Sequence, residues 1–427
     1  MTKVFVIGSG GRENAIIHSL LKSDKISEIF SATSNAKISE ITIKSDIDPS
    51  NHQEILNFCQ KKSIDLVIIG PEQPLVDGLT DFLQFAGIKV FGPSKKASEL
   101  EGSKIFMKNL CTKYDIPTAK YQSFDNAQEA ISFIDKIDSP IVIKTDGLAA
   151  GKGVIINENK SQAKIAINEI FNGKFGKAGN KIIIEEFLEG PEVSFFAISD
   201  GKNAKFIGTA GDHKKIGEGD IGLNTGGMGT YSPSPFIDKK LQNEIMDNII
   251  KPTLDGMIKE NCPFVGILFA GLILTKNGPK LLEFNIRFGD PEAEVILPRL
   301  KTDLLDIINA TIKGNLDQID IEFSDKKAVC VILASKGYPE SYKKGSEIKD
   351  IDNLLQNDEI IFHCGTKLQD GKILSNGGRV LASVALAEDF ELAIKKSYKI
   401  VDKVKWPDCY YRKDIAKKLL LMDSKNL

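Results

Sequence analysis

Within Glu283-Phe-Asn-Ile-Arg-Phe-Gly-Asp-Pro-Glu292, a carboxylate, an amide and a guanidinium recur at every second position. The run that leads into it, Leu272 to Leu282, carries Asn277-Gly278 between apolar residues, a hairpin signal, so the segment is expected to be a strand. On a strand, Leu282, Phe284, Ile286 and Phe288 face one way and Glu283, Asn285 and Arg287 the other. Glu283 and Asn285 offer hard oxygens of the kind Mg²⁺ takes, and Arg287 offers a planar fork for phosphate or carboxylate oxygens. A half-exposed antiparallel strand with polar residues outward reads the same way. Against that stands Gly289-Asp290-Pro291-Glu292, which stops the strand abruptly with further acid.

Three other runs point to phosphate and base chemistry. Asp146-Gly-Leu-Ala-Ala-Gly-Lys-Gly153 has one residue too few between glycines for a P-loop, and a strand follows it where a P-loop has a helix. It is read as a β-hairpin loop over phosphates, with Lys144 on the strand entering it and Lys104 at the start of an earlier helix as point charges. Glu185-Glu-Phe-Leu-Glu-Gly-Pro-Glu192 closes a strand with carboxylates around a turn. There Glu185, Leu188 and Glu192 have the chemistry to accept from an adenine amino group, donate a backbone N–H and hold ribose hydroxyls; a charged surface turn has the same composition. Gly8-Ser-Gly-Gly-Arg-Glu13 follows the first strand, but Glu13 stands where a dinucleotide fingerprint needs its third glycine. What remains suits one phosphate at a helix N-terminus near Arg12, or a purely structural tight turn.

The elements that must carry these runs fall into three stretches. Residues 1–102 alternate strand and helix, with strands at 4–7, 65–69 and 88–91 and helices from about Arg12 and over 77–86. This implies a small doubly wound parallel sheet, whose strand-end turns at Gly8, Gly70 and Gly92 outline one crevice. Residues 103–325 are rich in hairpins, with strands at 141–145, 154–157, 182–187, 193–199, 205–210 and 266–275. Helices are expected near 103–114, 162–171, 241–259 and up to about 310, and the part from about 120 to 192 forms a lid. The glycine-rich run 217–231 lacks apolar periodicity and is expected to be a mobile loop. Residues 326–427 read as a third, mixed α/β unit with strands at 328–335, 360–363 and 379–385 and a helix over 390–404.

Composition narrows the partners. The chain has 427 residues, 42% of them apolar and 27% charged, with a net charge of -2. An ordinary soluble globular protein has that balance, and the absence of a basic run argues against nucleic acid or an anionic membrane as the main partner. No signal-peptide layout opens the sequence and no long apolar stretch occurs, so a cytoplasmic protein is expected. Six cysteines, at 59, 111, 262, 330, 364 and 409, form no CxxC pair and are expected to be reduced. Only five of the 56 basic residues are arginine (12, 287, 299, 379 and 412), so an arginine here is expected where a fork is needed, as at Arg12, Arg287 and Arg379, each within two residues of a glycine. Arg299 and Arg412 are expected to be structural.

Taken in order, the loop at 146–153, the turn at 185–192 and Glu-x-Asn-x-Arg resemble the signature of ATP-grasp carboxylate–amine ligases. Within them Arg287-Phe-Gly-Asp-Pro-Glu292 with Glu294 closely resembles the phosphoribosylamine–glycine ligase family. Further matches are Gly70-Pro-Glu72, Glu101-Gly-Ser-Lys104, Asp212-His-Lys-Lys215, Asn224-Thr-Gly-Gly-Met-Gly229, Gly365-Thr-Lys367 and Asn376-Gly-Gly-Arg379, so the likeness runs the full length. It implies ATP-dependent joining of glycine to 5-phosphoribosylamine through glycyl phosphate, with Mg²⁺ or Mn²⁺, in a monomer that touches the enzyme making the amine only transiently.

The residue roles it implies are specific. Lys104, Lys144, Gly151, Lys152 and Gly153 would hold phosphates, and Glu185, Glu186, Phe187, Leu188 and Glu192 the nucleoside. Glu283 and Asn285 would hold the metal, and Arg287, Lys144 and Asp212 would serve catalysis. Gly10, Gly11, Arg12, Glu13, Glu72, Asp212, Asn224, Gly289, Asp290, Lys367 and Arg379 would line the substrate sites, with Asp212 at glycine's ammonium group. His213, beside it, is expected to be structural. Two departures matter: Asn14 stands where the family has His, and strand 266–275 lacks an acidic metal ligand, which leaves the rest of the metal shell to phosphates and water. The rival readings are a formate- or bicarbonate-using ATP-grasp ligase, a silent nucleotide-binding regulator and a nicotinamide-dependent reductase.

Overall fold

Val4, Phe5, Val6 and Ile7 are all fully buried. A strand apolar on both faces needs cover on both, which a parallel sheet flanked by helices provides. In the computed structural model, which describes residues 1–423 apart from 33–34, 46, 149–152, 350, 352–354 and 356, strand Thr2–Ile7 lies at the centre of that sheet. Its five strands run in the order Ile43–Lys44, Ile26–Ser31, Thr2–Ile7, Leu66–Ile69, Lys89–Phe91, with every pair parallel. The strand order reverses at Thr2–Ile7, so Gly8 to Gly11 sit at the switch point where such sheets bind ligands. The helix expected over 77–86 is instead two, Glu72–Asp77 and Leu79–Phe85, broken where Gly78 takes φ +92°. Glu72 thus opens a helix at the rim of the crevice.

A second, antiparallel sheet has the order Tyr121–Phe124, Ile182–Glu186, Ile141–Thr145, Val154–Asn157. Helices Ala127–Ile134 and Lys160–Glu169 cover one face, and Phe124, Ile141, Ile143, Ile182 and Ile184 pack against Ala163 and Ile167 in a core of its own. The other face of this sheet carries Lys144 and Glu185.

The third sheet has nine strands and joins the middle of the chain to its last hundred residues. From one edge, eight of them run Gly278–Asn285, Val265–Thr275, Glu192–Asp200, Ala204–Asp212, Gly229–Ser232, Lys327–Ser335, Arg379–Ala387, Glu359–His363, and the ninth, Cys409–Tyr410, pairs with Lys327–Ser335 off that path. The link is Gly229–Ser232, which pairs with Asp212 on one side and with Cys330 on the other. The run expected to be a mobile loop therefore holds a buried strand and, before it, the hairpin Lys215–Gly217/Ile221–Asn224. Its glycines answer to close packing. A Cβ on Gly229 would come 2.6 Å from the Cys330 carbonyl oxygen, so here glycine hides a strand pattern instead of marking mobility.

The hairpin Val265–Thr275/Gly278–Asn285 forms as expected around Asn277, with one difference. Gly271 faces Glu283 while Leu272 faces Leu281, so Leu282 is the extra residue of a β-bulge. The inward side chains are Leu281, Phe284, Ile286 and Phe288, and Leu282 leaves that face. The regular strand also ends at Asn285, two residues before Arg287, which lies in a bend.

Candidate active site

Lys144 and Glu185 are brought together by register. Val142 pairs with Glu185 and Lys144 with Ile183, so the two side chains leave the same face of the small sheet. Lys144 Nζ lies 3.0 Å from Glu185 Oε2 and donates to the Leu282 carbonyl at 3.0 Å. The bulge frees that carbonyl from the ladder and aims it at the lysine. Helix Lys104–Lys113 starts beside them. Its N-cap Ser103 donates to Asp146 Oδ1 at 3.0 Å, and the Ile105 N–H donates to the same oxygen at 3.1 Å, which ties the base of the 146–153 loop to a helix N-terminus. Lys104 Nζ donates to the Gly147 carbonyl at 3.1 Å. Gly153 is buried and accepts from the Thr145 N–H, whereas Gly151 and Lys152 lie outside the described residues.

Glu283 is opposite this cluster. Burial pushes its carboxyl up, but Lys214, Lys144 and Lys104 together hold it below the usual carboxylate range. Three ammonium groups thus converge on Glu283, two of them also matched by a second carboxylate, Lys144 by Glu185 and Lys214 by Glu192, and a polyphosphate arriving here would meet all three. Among the described residues neither Glu283 nor Asn285 makes a side-chain hydrogen bond or ion pair, and no cluster of three His, Cys, Asp or Glu side chains could hold a metal. Two uncommitted hard oxygens fit Mg²⁺ or Mn²⁺, ions that keep most of their shell for phosphates and water.

Arg287 stands between two crevices. Its Nε donates to Glu72 at 3.1 Å, one terminal nitrogen donates to Glu101 at 3.1 Å and the other to the Phe288 carbonyl at 3.1 Å. Against burial, Arg287 and Arg12 hold the Glu72 carboxyl at about 2. Burial dominates at Glu101 and raises it. The Glu101 carboxylate also accepts from the Ile286 N–H at 2.9 Å, which fixes the bend that presents Arg287.

On the far side of Arg287 lies the first strand-end turn. Gly10 donates its N–H to Glu13 Oε2 at 2.6 Å, and Arg12 Nε is 2.6 Å from Glu13 Oε1 while its fork also reaches the Phe288 carbonyl at 3.3 Å. Arg12 and Glu13 are buried, so both are partnered inside the protein. Arg379 faces this turn. It pairs with Asp290 Oδ1 at 2.8 Å, donates to the Asp290 carbonyl at 2.7 Å and also reaches the Gly226 carbonyl. Asp290 Oδ2 in turn takes the Arg12 N–H at 3.4 Å. Gly11 packs directly on Glu294, a fully buried acid whose two oxygens have no hydrogen-bond partner among the described residues; burial and Asp290 raise it well above the ordinary value.

Asp212 and Glu292 form a second acidic centre. Burial and the proximity of Glu292 raise Asp212 well above its ordinary value, and its Oδ1 is buried without a hydrogen-bond partner among the described residues. Glu292 accepts from Ser194 Oγ at 3.2 Å. Lys214, at the mouth, pairs with Glu192 at 3.1 Å. His213 accepts the Ala416 N–H with Nε2 at 3.0 Å, as a structural histidine should.

Several of the expected residues lie further out. Glu186 pairs with Lys280 at 3.2 Å and accepts the Lys120 N–H at 3.0 Å. Phe187 is 36% exposed and Leu188 half-buried after the strand ends. Asn224 ends the small hairpin, and Lys367 sits half-buried on strand Thr366–Gln369. Gly289 packs on Glu292. Asn14 is 2% exposed within helix Gly11–Leu20. Arg299 and Arg412 are spent on carbonyls, Ser232, Asp220 and Asp414.

Sequence reasoning assigned no role to Glu101 or Lys108. Glu101 lies in the Glu-Gly-Ser-Lys motif, and only the bend at Arg287 reveals its job. Lys108 follows Lys104 by four residues, which puts both on one helix face, and that spacing was a usable signal.

Profiles of the phosphoribosylglycinamide synthetase N, ATP-grasp (A) and C domains match residues 2–101, 102–293 and 328–418. The chain is 46% identical over 415 residues to phosphoribosylamine–glycine ligase of Brucella melitensis, covering 97% of each. It is 47% identical over 415 residues to the enzyme of that name from Caldanaerobacter subterraneus, covering 97% of this chain and 99% of the relative. The crystal structure of phosphoribosylamine–glycine ligase from Thermotoga maritima superposes with a TM-score of 0.85 at 33% identity, over 97% of this chain and all of that one. A biotin carboxylase domain from Hydrogenobacter thermophilus, in complex with MgADP and bicarbonate, shares the fold with a TM-score of 0.75 at 14% identity, over 96% and 91% of the two chains.

Proposed function

The chain belongs to the phosphoribosylglycinamide synthetase family of ATP-grasp ligases, and from that premise we propose how its own residues carry the reaction. The protein joins glycine to 5-phosphoribosylamine with cleavage of ATP to ADP and phosphate, a step of purine biosynthesis. A carboxylate oxygen of glycine attacks the γ-phosphorus, ADP leaves, and the amine then attacks the acyl carbon, losing a proton as phosphate departs. No covalent protein nucleophile enters, so catalysis consists of positioning and charge neutralisation.

The observation that carries this reading is the placement of Arg287, held by Glu72 and Glu101 between a lysine-rich crevice and the Gly10–Arg379 crevice. Lys104, Lys144 and the 146–153 loop take the triphosphate, and Glu185, Glu186, Phe187, Leu188 and Glu192 take the nucleoside. Glu283 and Asn285 would hold a divalent ion, Mg²⁺ or Mn²⁺, which would supply charge neutralisation to the triphosphate. Arg287 steadies the transferring phosphoryl group. Asp212 takes glycine's ammonium group, with Asn224 nearby, and an acid left without a partner in the free protein suits that cation. Glu72 and Asp290 hold the ribosyl hydroxyls. Its phosphate lies at the N-terminus of helix Gly11–Leu20, between Lys367 and Arg379. Arg12, Glu13 and Gly289 shape this pocket from behind. The described residues contain no helix long and apolar enough to cross a membrane; we place the enzyme in the cytoplasm as a monomer that meets its amine supplier transiently.

Positional isotope exchange tests the intermediate. ATP labelled in the β,γ-bridge should scramble its oxygens when glycine is present and phosphoribosylamine is withheld. Scrambling that does not require glycine would contradict a glycyl phosphate.

A further inference from the structure

Lys108 is a fully buried lysine, which is costly unless its charge is matched. Its Nζ lies 3.1 Å from Glu185 Oε1, and two of its three hydrogens are donated to Thr118 Oγ1 at 2.7 Å and, more weakly, to the Ala119 carbonyl at 3.4 Å. Glu185 Oε1 is buried beside this positive charge and has no hydrogen-bond partner among the described residues. The other oxygen, Oε2, is paired with Lys144. Thr118 in turn donates to the Leu281 carbonyl at 2.7 Å, while Lys144 uses the next carbonyl along, that of Leu282. The two lysines on one carboxylate are thus anchored on adjacent residues of the bulge. Both are buried, Lys108 at 0% and Lys144 at 5% exposure, and they differ in surroundings: Thr118 holds Lys108, whereas Lys144 also lies in the charge field of Lys104 and Glu283.

We propose that Lys108 is the fixed counter-ion of Glu185 and thereby a specificity-determining positioning residue for the 6-position of the purine nucleotide. The inference rests on the reading of Glu185 as acceptor for the adenine amino group. When a triphosphate draws Lys144 toward its phosphates, Lys108 stays and keeps Glu185 in place with Oε1 open. An oxygen that only accepts rewards an amino group at the 6-position and opposes a 6-oxo group, which would face it acceptor to acceptor. A charged hydrogen bond of this kind is worth a discrimination of about tenfold or more.

The test uses the full-length protein and glycine-dependent phosphate release with ATP and with inosine triphosphate, the 6-oxo analogue. Lys108→Met, nearly isosteric and uncharged, should lower the ATP-to-ITP ratio of kcat/KM by about tenfold or more, chiefly through KM for the nucleotide, with KM for glycine unchanged. A lysine serving stability alone would slow both nucleotides equally. A ratio within about twofold of wild type in folded Lys108→Met therefore overturns the proposal. If that variant does not fold, Thr118→Val keeps the charge and removes its anchor; it should lower the ratio by about threefold, and an unchanged ratio again overturns the proposal. Failure of the ligase reading shows separately, as ATP cleavage by the wild-type protein that does not need glycine.

Discussion

Replacing Arg287 with lysine retains a positive charge and removes the fork. In the native site three nitrogens of one guanidinium each reach a different oxygen, on Glu72, Glu101 and Phe288, all at 3.1 Å. A single ammonium cannot span the two carboxylates and the carbonyl in that geometry. At least one carboxylate loses a charge-assisted bond worth roughly 1.5–3 kcal/mol, and Glu101, raised by burial already, moves further toward its neutral form. The bend that presents the side chain survives, since Glu101 still accepts from the Ile286 N–H. The cost to the chemical step is that of one preorganised donor aimed at the transferring phosphoryl group, about 2.7 kcal/mol or a hundredfold in kcat. Nucleotide affinity should change little, because among the described residues the bonds of Arg287 go to Glu72, Glu101 and Phe288 and none to Lys104, Lys144 or Glu185. Stopped-time phosphate release with saturating glycine and fresh phosphoribosylamine gives kcat, and calorimetric titration gives the nucleotide affinity. A folded Arg287→Lys enzyme with near wild-type kcat would refute the role given to the fork.

Glu283→Ala should depress activity at low Mg²⁺ and recover part of it at high Mg²⁺, since phosphates and Asn285 still contribute ligands; a rate profile indifferent to metal concentration would count against the assignment. Gly11→Ala places a Cβ against the Glu294 carboxylate and 2.7 Å from Cys364 Sγ. Overpacking there should lower stability by roughly 1–3 kcal/mol and raise KM for phosphoribosylamine more than KM for ATP, measurable by urea unfolding and steady-state kinetics. His18 and His363 have imidazoles that burial, helped by Lys22 and Lys37, lowers from 6.5 to about 4. The unfolded chain binds more protons between those values, so stability is full above pH 6.5 and falls as the pH drops toward about 4, by up to about 3 kcal/mol per residue. Urea midpoints at pH 7.5 and 4.5 should differ accordingly and His363→Gln should reduce the difference; equal midpoints in the wild type would contradict the buried neutral state.

The parts of the molecule legible in the sequence are those where local pattern and tertiary role coincide. The Asn277-Gly278 hairpin, the strands at 141–145 and 154–157 and the helix after Ser103 carry their own turn, alternation and capping signals. Gly229–Ser232 was hidden because close approach to Cys330 demands glycine where a strand pattern would show a side chain. The bulge at Leu282 was hidden for another reason: Leu281 and Leu282 are both apolar, so alternation cannot say which one faces the core, and a shift by one residue is invisible until the partner strand is seen. In the site, Arg287, Lys144 and Asp290 stood out through residue type beside glycine or at a strand end. Glu101 and Lys108 did not, because each acts on a residue distant in sequence, Arg287 in one case and Glu185 in the other.

The central claim is that this cleft cleaves ATP in order to join glycine to the ribosyl amine. Phosphate release from ATP, measured with glycine and freshly made phosphoribosylamine and then with each omitted, tests it most directly. The account predicts multiple turnover only with both substrates present and loss of turnover when either is withheld; release that continues without glycine would contradict it.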